Sequence, residues 1–113
     1  MKVFCYGTLK SNQRRNFYLT RDGSKLLGEV STMPNYALYK PLLADYPCMC
    51  EGNIAVEGEL WEVSDSTLMT LDAVEGAPHL FRRETIKLEN GEEAIAYLMD
   101  KPFLARNIGS KWE

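Results

Sequence analysis

Residues 54–76 have the sequence IAVEGELWEVSDSTLMTLDAVEG, in which a strand pattern passes directly into a helix pattern. The first part, Ile54 to Val63, is rich in apolar and β-forming residues and predicts a long strand. Gly58 interrupts this strand and indicates a bulge or a close approach of another backbone. The second part, Ser64 to Gly76, opens with capping residues and closes on glycine, which is typical of a helix.

A hairpin is the clearest local pattern outside this stretch. Arg83 to Glu89 and Glu92 to Met99 have strand-like composition, and Asn90-Gly91 between them favours a type I′ turn. Lys2 to Tyr6 predicts a first strand, and Leu26 to Met33 predicts a second one.

Weaker patterns cover the remaining segments. Ser11-Asn12 would cap a short helix over Arg14 to Leu19, which Asp22-Gly23 would end. Pro41 to Asn53 carries two prolines and a glycine and predicts a long loop, which in a small domain is often functional. Lys101 to Glu113 predicts an irregular tail. The elements together predict one α+β domain over residues 1–113, in which a small barrel would remove exposed sheet edges.

Composition excludes several classes of protein. The 113 residues are 45% hydrophobic and 26% charged, as in ordinary globular proteins. A net charge of −3 without a basic run argues against nucleic acid as a partner, and no apolar stretch is long enough for a membrane span. The three cysteines are odd in number, and Cys48 and Cys50 are too close in sequence to favour a disulfide. We therefore expect a cytoplasmic protein.

Glu75 is the candidate catalytic residue because its position conflicts with its charge. Leu68, Leu71 and Glu75 fall at i, i+3 and i+7, so they share the stripe of the helix that normally faces the core. Desolvation and the helix dipole would both raise the pKa of a carboxyl group there, which suits a general base near neutral pH. The alternative is a slightly rotated helix that leaves Glu75 in water.

Other catalytic arrangements are absent from the sequence. His79 is the only histidine, and there is no nucleophile elbow, no phosphate-binding loop and no metal-ligand spacing. The basic cluster of Lys10, Arg14 and Arg15 is either a solvated helix face or a gate for an anionic substrate.

The segment Tyr6-Gly7-Thr8-Leu9 follows the first strand. A glycine at this point either forms a turn or frees backbone N–H groups to approach a ligand, and a run of such groups can hold a carboxylate.

Four blocks of the sequence, taken together, resemble the γ-glutamylcyclotransferase-like superfamily, most closely its γ-glutamylamine cyclotransferase branch. Each block matches a family motif in order and spacing. The blocks are the opening strand with Tyr6-Gly7-Thr8-Leu9, the central strand Val56 to Val63, the helix end Leu71 to Gly76 with Phe81-Arg82-Arg83 after it, and Ala96-Tyr97 with Gly109 to Trp112.

The resemblance implies a fold, an activity and a site. The fold would be α+β, a small mixed β-barrel with two short flanking helices. The activity would convert a γ-glutamyl amine or amide, a small-molecule substrate, into 5-oxoproline and a free amine without metal or organic cofactor. Glu75 would be the general acid/base, and the main chain of Tyr6, Gly7, Thr8 and Leu9 would hold the α-amino and α-carboxylate groups of the substrate.

The resemblance leaves some points open. Position 81 is phenylalanine where relatives often have tyrosine, and loss of a hydroxyl that bonds near the substrate would cost ~0.5–1.5 kcal/mol. Arg83 would support the helix end or a neighbouring acid, and Tyr36 and Tyr97 would either line the cavity or pack in the core. Two alternatives remain: γ-glutamyl amino acids as substrates, or a non-catalytic module that binds a small ligand or a protein through the same cavity.

Overall fold

Eight strands and two helices form the fold in the computed structural model, which describes residues 1–113. In chain order the strands are β1 (Lys2–Cys5), β2 (Lys25–Ser31), β3 (Tyr36–Pro41), β4 (Cys48–Glu51), β5 (Glu57–Glu62), β6 (Arg82–Lys87), β7 (Glu93–Leu98) and β8 (Ala105–Gly109). The helices are α1 (Phe17–Thr20) and α2 (Asp65–Glu75), and neither is long and apolar enough to cross a membrane.

Strand β7 organises the sheet, because three other strands pair with it. β6 pairs antiparallel with β7 along its whole length. β1 and β4 both run parallel to β7, and each pairs with it at one position, Val3↔Ile95 and Met49↔Leu98. A strand has only two edges, so β1 and β4 share the edge of β7 that lies opposite β6.

The sheet is mixed and open. Its pairing path runs β2-β5-β1-β7-β4-β3-β8, and the two terminal strands, β2 and β8, do not pair with each other. An isolated bridge between Thr32 and Leu88 links the end of β2 to the end of β6, but a single bridge falls short of the ladder that closure requires. The α+β class with two helices is confirmed, whereas the predicted small mixed β-barrel is not.

Two apolar clusters lie on opposite faces of the strands. Val3 and Trp61 belong to the cluster that contains Leu68 and Leu71 of α2. Phe4 of β1 and Leu60 of β5 belong to the second cluster, because successive side chains of a strand point to opposite faces. Helix α2 therefore packs on one face of β1 and β5 through the predicted stripe.

Local chemistry fixes both ends of α2. The Ser64 hydroxyl accepts a hydrogen bond from the Thr67 amide at 3.1 Å, and Gly76 ends the helix in the left-handed region with φ 65°. Both predicted boundaries are confirmed. Of the two alternatives for Gly58, a bulge or a close approach, the structure shows the close approach, because a Cβ atom there would lie 2.5 Å from the Cys5 carbonyl oxygen and 2.7 Å from the Phe4 ring.

The first helix is shorter and later than predicted. A helix was expected over Arg14 to Leu19, but α1 contains only Phe17–Thr20. The residues before it form a series of turns, with Asn12 at φ 66°, a conformation that an α-helix cannot include. Hydrogen bonds from these turns to the carbonyl groups of residues 7–9, which follow β1, fix their path.

Two strands occupy segments that were predicted to be irregular. β4 lies inside the expected loop Pro41 to Asn53, and Cys48, Met49 and Cys50 are all buried. Burial on both faces removes the alternation of apolar and polar residues that marks most strands. β8 lies inside the expected irregular tail and pairs with β3, a partner far away in sequence.

The predicted hairpin of β6 and β7 is confirmed, but the predicted type I′ turn is wrong. The turn runs from Leu88 to Gly91, whose amide donates to the Leu88 carbonyl at 3.0 Å. Gly91 has φ 88°, whereas Asn90 does not have the positive φ that a type I′ turn requires. Asn90-Gly91 therefore occupies the last two positions of the turn rather than its centre.

The Tyr6 hydroxyl connects three strands where β1 and β4 meet on β7. It donates to the Tyr97 carbonyl of β7 at 2.7 Å and accepts from the Met49 amide of β4 at 3.1 Å. Tyr6 is buried, so both bonds are shielded from water.

Replacing Tyr6 with phenylalanine should lower the free energy of unfolding by about 1–3 kcal/mol, because the buried Met49 amide loses its acceptor. Urea unfolding measures this loss. The matched control is Tyr18→Phe, whose hydroxyl has no hydrogen-bond partner and whose ring lies under Arg21. Equal stability of the two variants would contradict the bridging role of the Tyr6 hydroxyl.

Candidate active site

One cavity of about 100 Å³ brings together all five residues predicted for the site, Tyr6, Gly7, Thr8, Leu9 and Glu75. The first four extend from the end of β1, and Glu75 is the last residue of α2. Two elements that are distant in sequence thus meet at one small opening. Their catalytic and binding roles remain predictions that the geometry makes possible.

The main chain of Gly7–Leu9, called the amide loop below, has an unusual hydrogen-bonding pattern. Its three carbonyl oxygens accept in turn from Lys10 N at 3.1 Å, Arg15 N at 2.9 Å and Asn16 Nδ2 at 2.8 Å. Its three N–H groups donate to no acceptor within the protein. Buried amides without a partner are rare in proteins, so these donors require water or a ligand in the cavity.

Packing explains the glycine at position 7. A Cβ atom at this position would lie 2.8 Å from Cγ of Pro47, which is closer than van der Waals contact allows. Pro47 also lines the cavity, so the amide loop passes directly against the segment between β3 and β4.

The Glu75 carboxylate is free for chemistry. It makes no hydrogen bond and no salt bridge within the protein, and it lines the cavity instead of the open surface. Burial raises its pKa to about 7, while the nearby charge of Arg15 acts in the opposite direction. Desolvation, predicted from the position of Glu75 on the apolar stripe, is therefore the dominant effect. A group with this pKa can both accept and return a proton near neutral pH.

A polar network holds the end of α2 against the sheet. The Tyr97 hydroxyl donates to Asp72 Oδ1 at 2.6 Å, and Arg83 Nη1 lies 3.1 Å from Asp72 Oδ2. Asp72 is one turn before Glu75, so these bonds fix the part of the helix that carries the candidate base. Arg83 thus supports a neighbouring acid of the helix end, as one of the two alternatives anticipated.

The aromatic candidates divide between the cavity and the core. Tyr97 lines the cavity, and burial raises the pKa of its hydroxyl. Tyr36 does not line the cavity and packs against the second apolar cluster. Phe81 lies in the cavity wall with its ring centroid 6.1 Å from that of Tyr46. The missing hydroxyl at position 81 therefore changes the wall of the site itself.

The basic cluster of the sequence separates into paired and unpaired members. Lys10 donates to the Trp112 carbonyl, and Arg14 forms a bidentate pair with Asp45, with Nη2 2.9 Å from Oδ1. Arg15 is half-buried, lines the cavity and has no side-chain partner. Sequence reasoning left Arg15 in a solvated or gating cluster, because no local pattern separates it from Arg14.

No group of three or more histidine, cysteine, aspartate or glutamate side chains is arranged to hold a metal ion. The residues that line the cavity carry one carboxylate, one guanidinium, the hydroxyl groups of Thr8, Tyr46 and Tyr97 and the Cys5 thiol, and the main chain adds the amides of the amide loop. These groups suit recognition of a small zwitterion and transfer of a proton.

The fold and the cavity define an α+β protein with a small-molecule site. Comparison with known sequences identifies the class further. A family model, "Gamma-glutamyl cyclotransferase, AIG2-like", matches residues 3–112, and the chain belongs to this family. The family supports a cyclotransferase activity on a small-molecule substrate.

Two curated relatives have related names. A putative γ-glutamylcyclotransferase of Vibrio cholerae is 43% identical over 89 residues, covering 79% of this chain and 74% of the relative. The γ-glutamylcyclotransferase family protein YtfP of Escherichia coli K12 is 33% identical over 102 residues, covering 90% and 85%. These names indicate a γ-glutamylcyclotransferase-like enzyme and do not distinguish one branch of the superfamily.

Solved structures agree with the fold. The solution structure of E. coli ytfP is 30% identical with a TM-score of 0.72, covering 97% of this chain and 93% of that one. A mouse AIG2-like protein has a TM-score of 0.79 at 22% identity, covering 87% and 76%, which shows the shared fold alone.

The raised pKa of Glu75 predicts an effect on stability. The folded protein holds this proton with a pKa of about 7, against an ordinary value of 4.5. Between these values the folded state binds more protons than the unfolded chain, so stability falls as pH rises from about 4.5 to about 7. Glu75→Gln removes this loss and should stabilise the protein by about 1–3 kcal/mol at pH 8.

Urea unfolding at pH 4 and pH 8 measures this difference, which should nearly vanish at the lower pH. Glu93→Gln, at an exposed position of β7, is the matched control and should show no such gain. An equal gain for Glu75→Gln at both pH values would mean that its carboxyl group is not desolvated.

Proposed function

We propose that the protein converts a γ-glutamyl amine into 5-oxoproline and a free amine, with Glu75 as the general acid/base. The observation that carries the proposal is the shared cavity, in which an unpaired carboxylate with a pKa of about 7 lies beside the free N–H groups of the amide loop. Family membership supports the reaction class, and the geometry supports the assignment of the residues.

The amide loop would bind the amino-acid head of the substrate. Its free N–H groups need an acceptor, and a carboxylate has enough lone pairs to satisfy several of them. Binding the α-carboxylate there places the α-amine one carbon away, close to the same cavity wall. The Tyr6 hydroxyl cannot donate a further bond, since its proton already goes to the Tyr97 carbonyl. Tyr6 would therefore contribute its backbone and ring.

The reaction needs one proton acceptor and a folded substrate. The α-amine of a γ-glutamyl compound is protonated at neutral pH, and Glu75 would take one of its protons. The nitrogen then attacks the γ-carbonyl carbon and closes a five-membered ring. As the bond to the leaving nitrogen breaks, Glu75 returns the first proton to that nitrogen. Glu75 then takes the surplus proton of the ring nitrogen and passes it to the released amine, which leaves as an ammonium ion, so the enzyme ends in its original state.

Intramolecular attack accounts for the small number of catalytic groups. Nucleophile and carbonyl belong to one molecule, so the cavity needs only to hold the chain in the folded conformer. Negative charge that develops on the carbonyl oxygen requires a donor, and the amide loop would supply free N–H groups in the same cavity. The bonds between Tyr97, Asp72 and Arg83 keep Glu75 in position during this step.

The leaving amine would occupy a groove that adjoins the cavity. This outer groove, about 550 Å³ in volume, shares Tyr46 and Leu80 with the cavity. Arg82 is its one arginine and already pairs with Glu84 and Asp100. With Arg82 paired, the groove offers no free lysine or arginine to a carboxylate. This charge balance favours γ-glutamyl amines over γ-glutamyl amino acids as substrates.

We further propose that the reaction takes place in the cytoplasm. All three cysteines are free, and the Sγ atoms of Cys48 and Cys50 lie 3.7 Å apart without a bond between them. A reducing compartment keeps neighbouring thiols in this form.

Purified protein should release 5-oxoproline from γ-glutamyl-pentylamine, and Glu75→Gln should lower kcat about 10²–10⁴-fold because it removes the proton acceptor. The kcat/KM of wild type should rise with pH to a midpoint of about 7 on the acid side. Chromatography of 5-oxoproline measures both, and Glu93→Gln should retain full activity.

Undiminished turnover by Glu75→Gln would overturn the mechanism. Ligand binding without turnover of any γ-glutamyl compound would favour a non-catalytic module.

The outer groove predicts a preference that two matched substrates can measure. γ-Glutamyl-pentylamine and γ-glutamyl-norleucine have the same head and alkyl chain, and they differ by the carboxylate of the leaving group. We expect kcat/KM to be at least about 10-fold higher for the pentylamine compound, because the second carboxylate would lie near Asp100 in a groove whose one arginine, Arg82, is already paired. An equal or reversed preference would identify γ-glutamyl amino acids as the substrates.

A further inference from the structure

We infer that Arg15 binds the α-carboxylate of the γ-glutamyl substrate, together with the N–H groups of the amide loop. This inference rests on the proposed cyclotransferase function and adds a cation to the main-chain site. If Arg15 binds this group, substrates with a high kcat/KM need a free α-carboxylate.

Arg15 differs from its neighbour Arg14 in every relevant property. Arg14 is exposed and pairs with Asp45 through two nitrogen atoms. Arg15 is half-buried, lines the cavity and forms neither a salt bridge nor a side-chain hydrogen bond. A guanidinium carries five donors in a planar fork, so a half-buried one without an acceptor is incomplete in the absence of an anion.

The backbone fixes Arg15 relative to the amide loop. Its own amide donates to the Thr8 carbonyl at 2.9 Å, and the Asn16 side chain donates to the Leu9 carbonyl at 2.8 Å. These bonds turn the loop carbonyls toward residues 15 and 16 and leave the loop N–H groups free. Both sets of donors, the guanidinium and the amides, therefore belong to one rigid unit at the cavity.

The position of Glu75 identifies the anion. The α-carbon of a γ-glutamyl group carries both the reacting amine and a carboxylate, so the carboxylate lies within one carbon of the nitrogen that Glu75 serves. The positive charge of Arg15 is close enough to Glu75 to lower its pKa. Arg15 therefore lies on the side of the cavity where the amino-acid head binds. Its fork can pair with both oxygens of a carboxylate, which a single amide cannot do.

Arg15→Gln, Arg15→Lys and Arg14→Gln form a matched set of variants. The substrates are γ-glutamyl-pentylamine and its α-carboxamide analogue, which keeps the amine and the γ-amide but lacks the negative charge. Arg15→Gln should lower kcat/KM for the acid about 10- to 100-fold, mainly through KM, and change the value for the carboxamide less than about 3-fold. Arg14→Gln should leave both values within about 2-fold.

The pH profile supplies a second measurement. Because the charge of Arg15 lowers the pKa of Glu75, Arg15→Gln should move the acid-side midpoint of kcat/KM to higher pH. Arg15→Lys should restore the wild-type midpoint but only part of the affinity, since an ammonium group lacks the fork. The midpoint of Arg14→Gln should not move.

Several results would overturn the inference. Equal losses on the acid and the carboxamide would mean that Arg15 does not contact the α-carboxylate. Undiminished activity of Arg15→Gln would exclude any binding role. A loss confined to γ-glutamyl-norleucine, with the pentylamine compound unaffected, would show that Arg15 serves a carboxylate of the leaving group instead.

A binding experiment separates this inference from the proposed function. Calorimetry with 5-oxoproline and with 2-pyrrolidinone, the same ring without a carboxylate, needs no turnover. Arg15→Gln should raise the Kd of 5-oxoproline about 10-fold or more and leave 2-pyrrolidinone unaffected. If wild type turns over no γ-glutamyl compound, the proposed function fails, and the 5-oxoproline result still decides the role of Arg15. If turnover is normal and the Kd is unchanged, only the role of Arg15 fails.

Discussion

The hydroxyl group of Tyr6 is the interaction on which the site depends. β1 and β4 share one edge of β7, and each pairs with it at a single position, so ladder hydrogen bonds alone leave their junction weakly joined. The hydroxyl closes this junction by bonding to β7 and β4 at once. The amide loop begins at the next residue. Its position opposite α2 is therefore set by a side-chain bond at the point where two strands meet.

The cavity contains several groups that have no partner within the protein. The Glu75 carboxylate has no hydrogen-bond donor within the protein. The Arg15 guanidinium and the N–H groups of the amide loop have no acceptor within the protein. Elsewhere, Ser24 Oγ is the buried side-chain atom without a hydrogen-bond partner. Such groups destabilise a folded chain, and their collection at one opening is what a binding site for a zwitterion requires.

Features that depend on near neighbours in sequence could be predicted. The caps of α2, the hairpin of β6 and β7, and the position of Glu75 beside Leu68 and Leu71 follow from local spacing. Features set by distant contacts could not. β4 is buried on both faces and shows no alternation, β8 is a strand only because β3 lies beside it, and the open path of the sheet is a property of all pairings together. Arg15 belongs to the second group, since the tertiary structure alone separates it from Arg14.

The packing of Pro47 against Gly7 links two positions that are far apart in the chain. A proline ring at 47 leaves no room for a side chain at 7, and removal of the ring alone would open a gap beneath the amide loop. The residue at either position therefore limits which substitutions the other position can accept. Related chains that carry a larger residue at the first position should compensate with a smaller one at the second, so the pair is expected to covary.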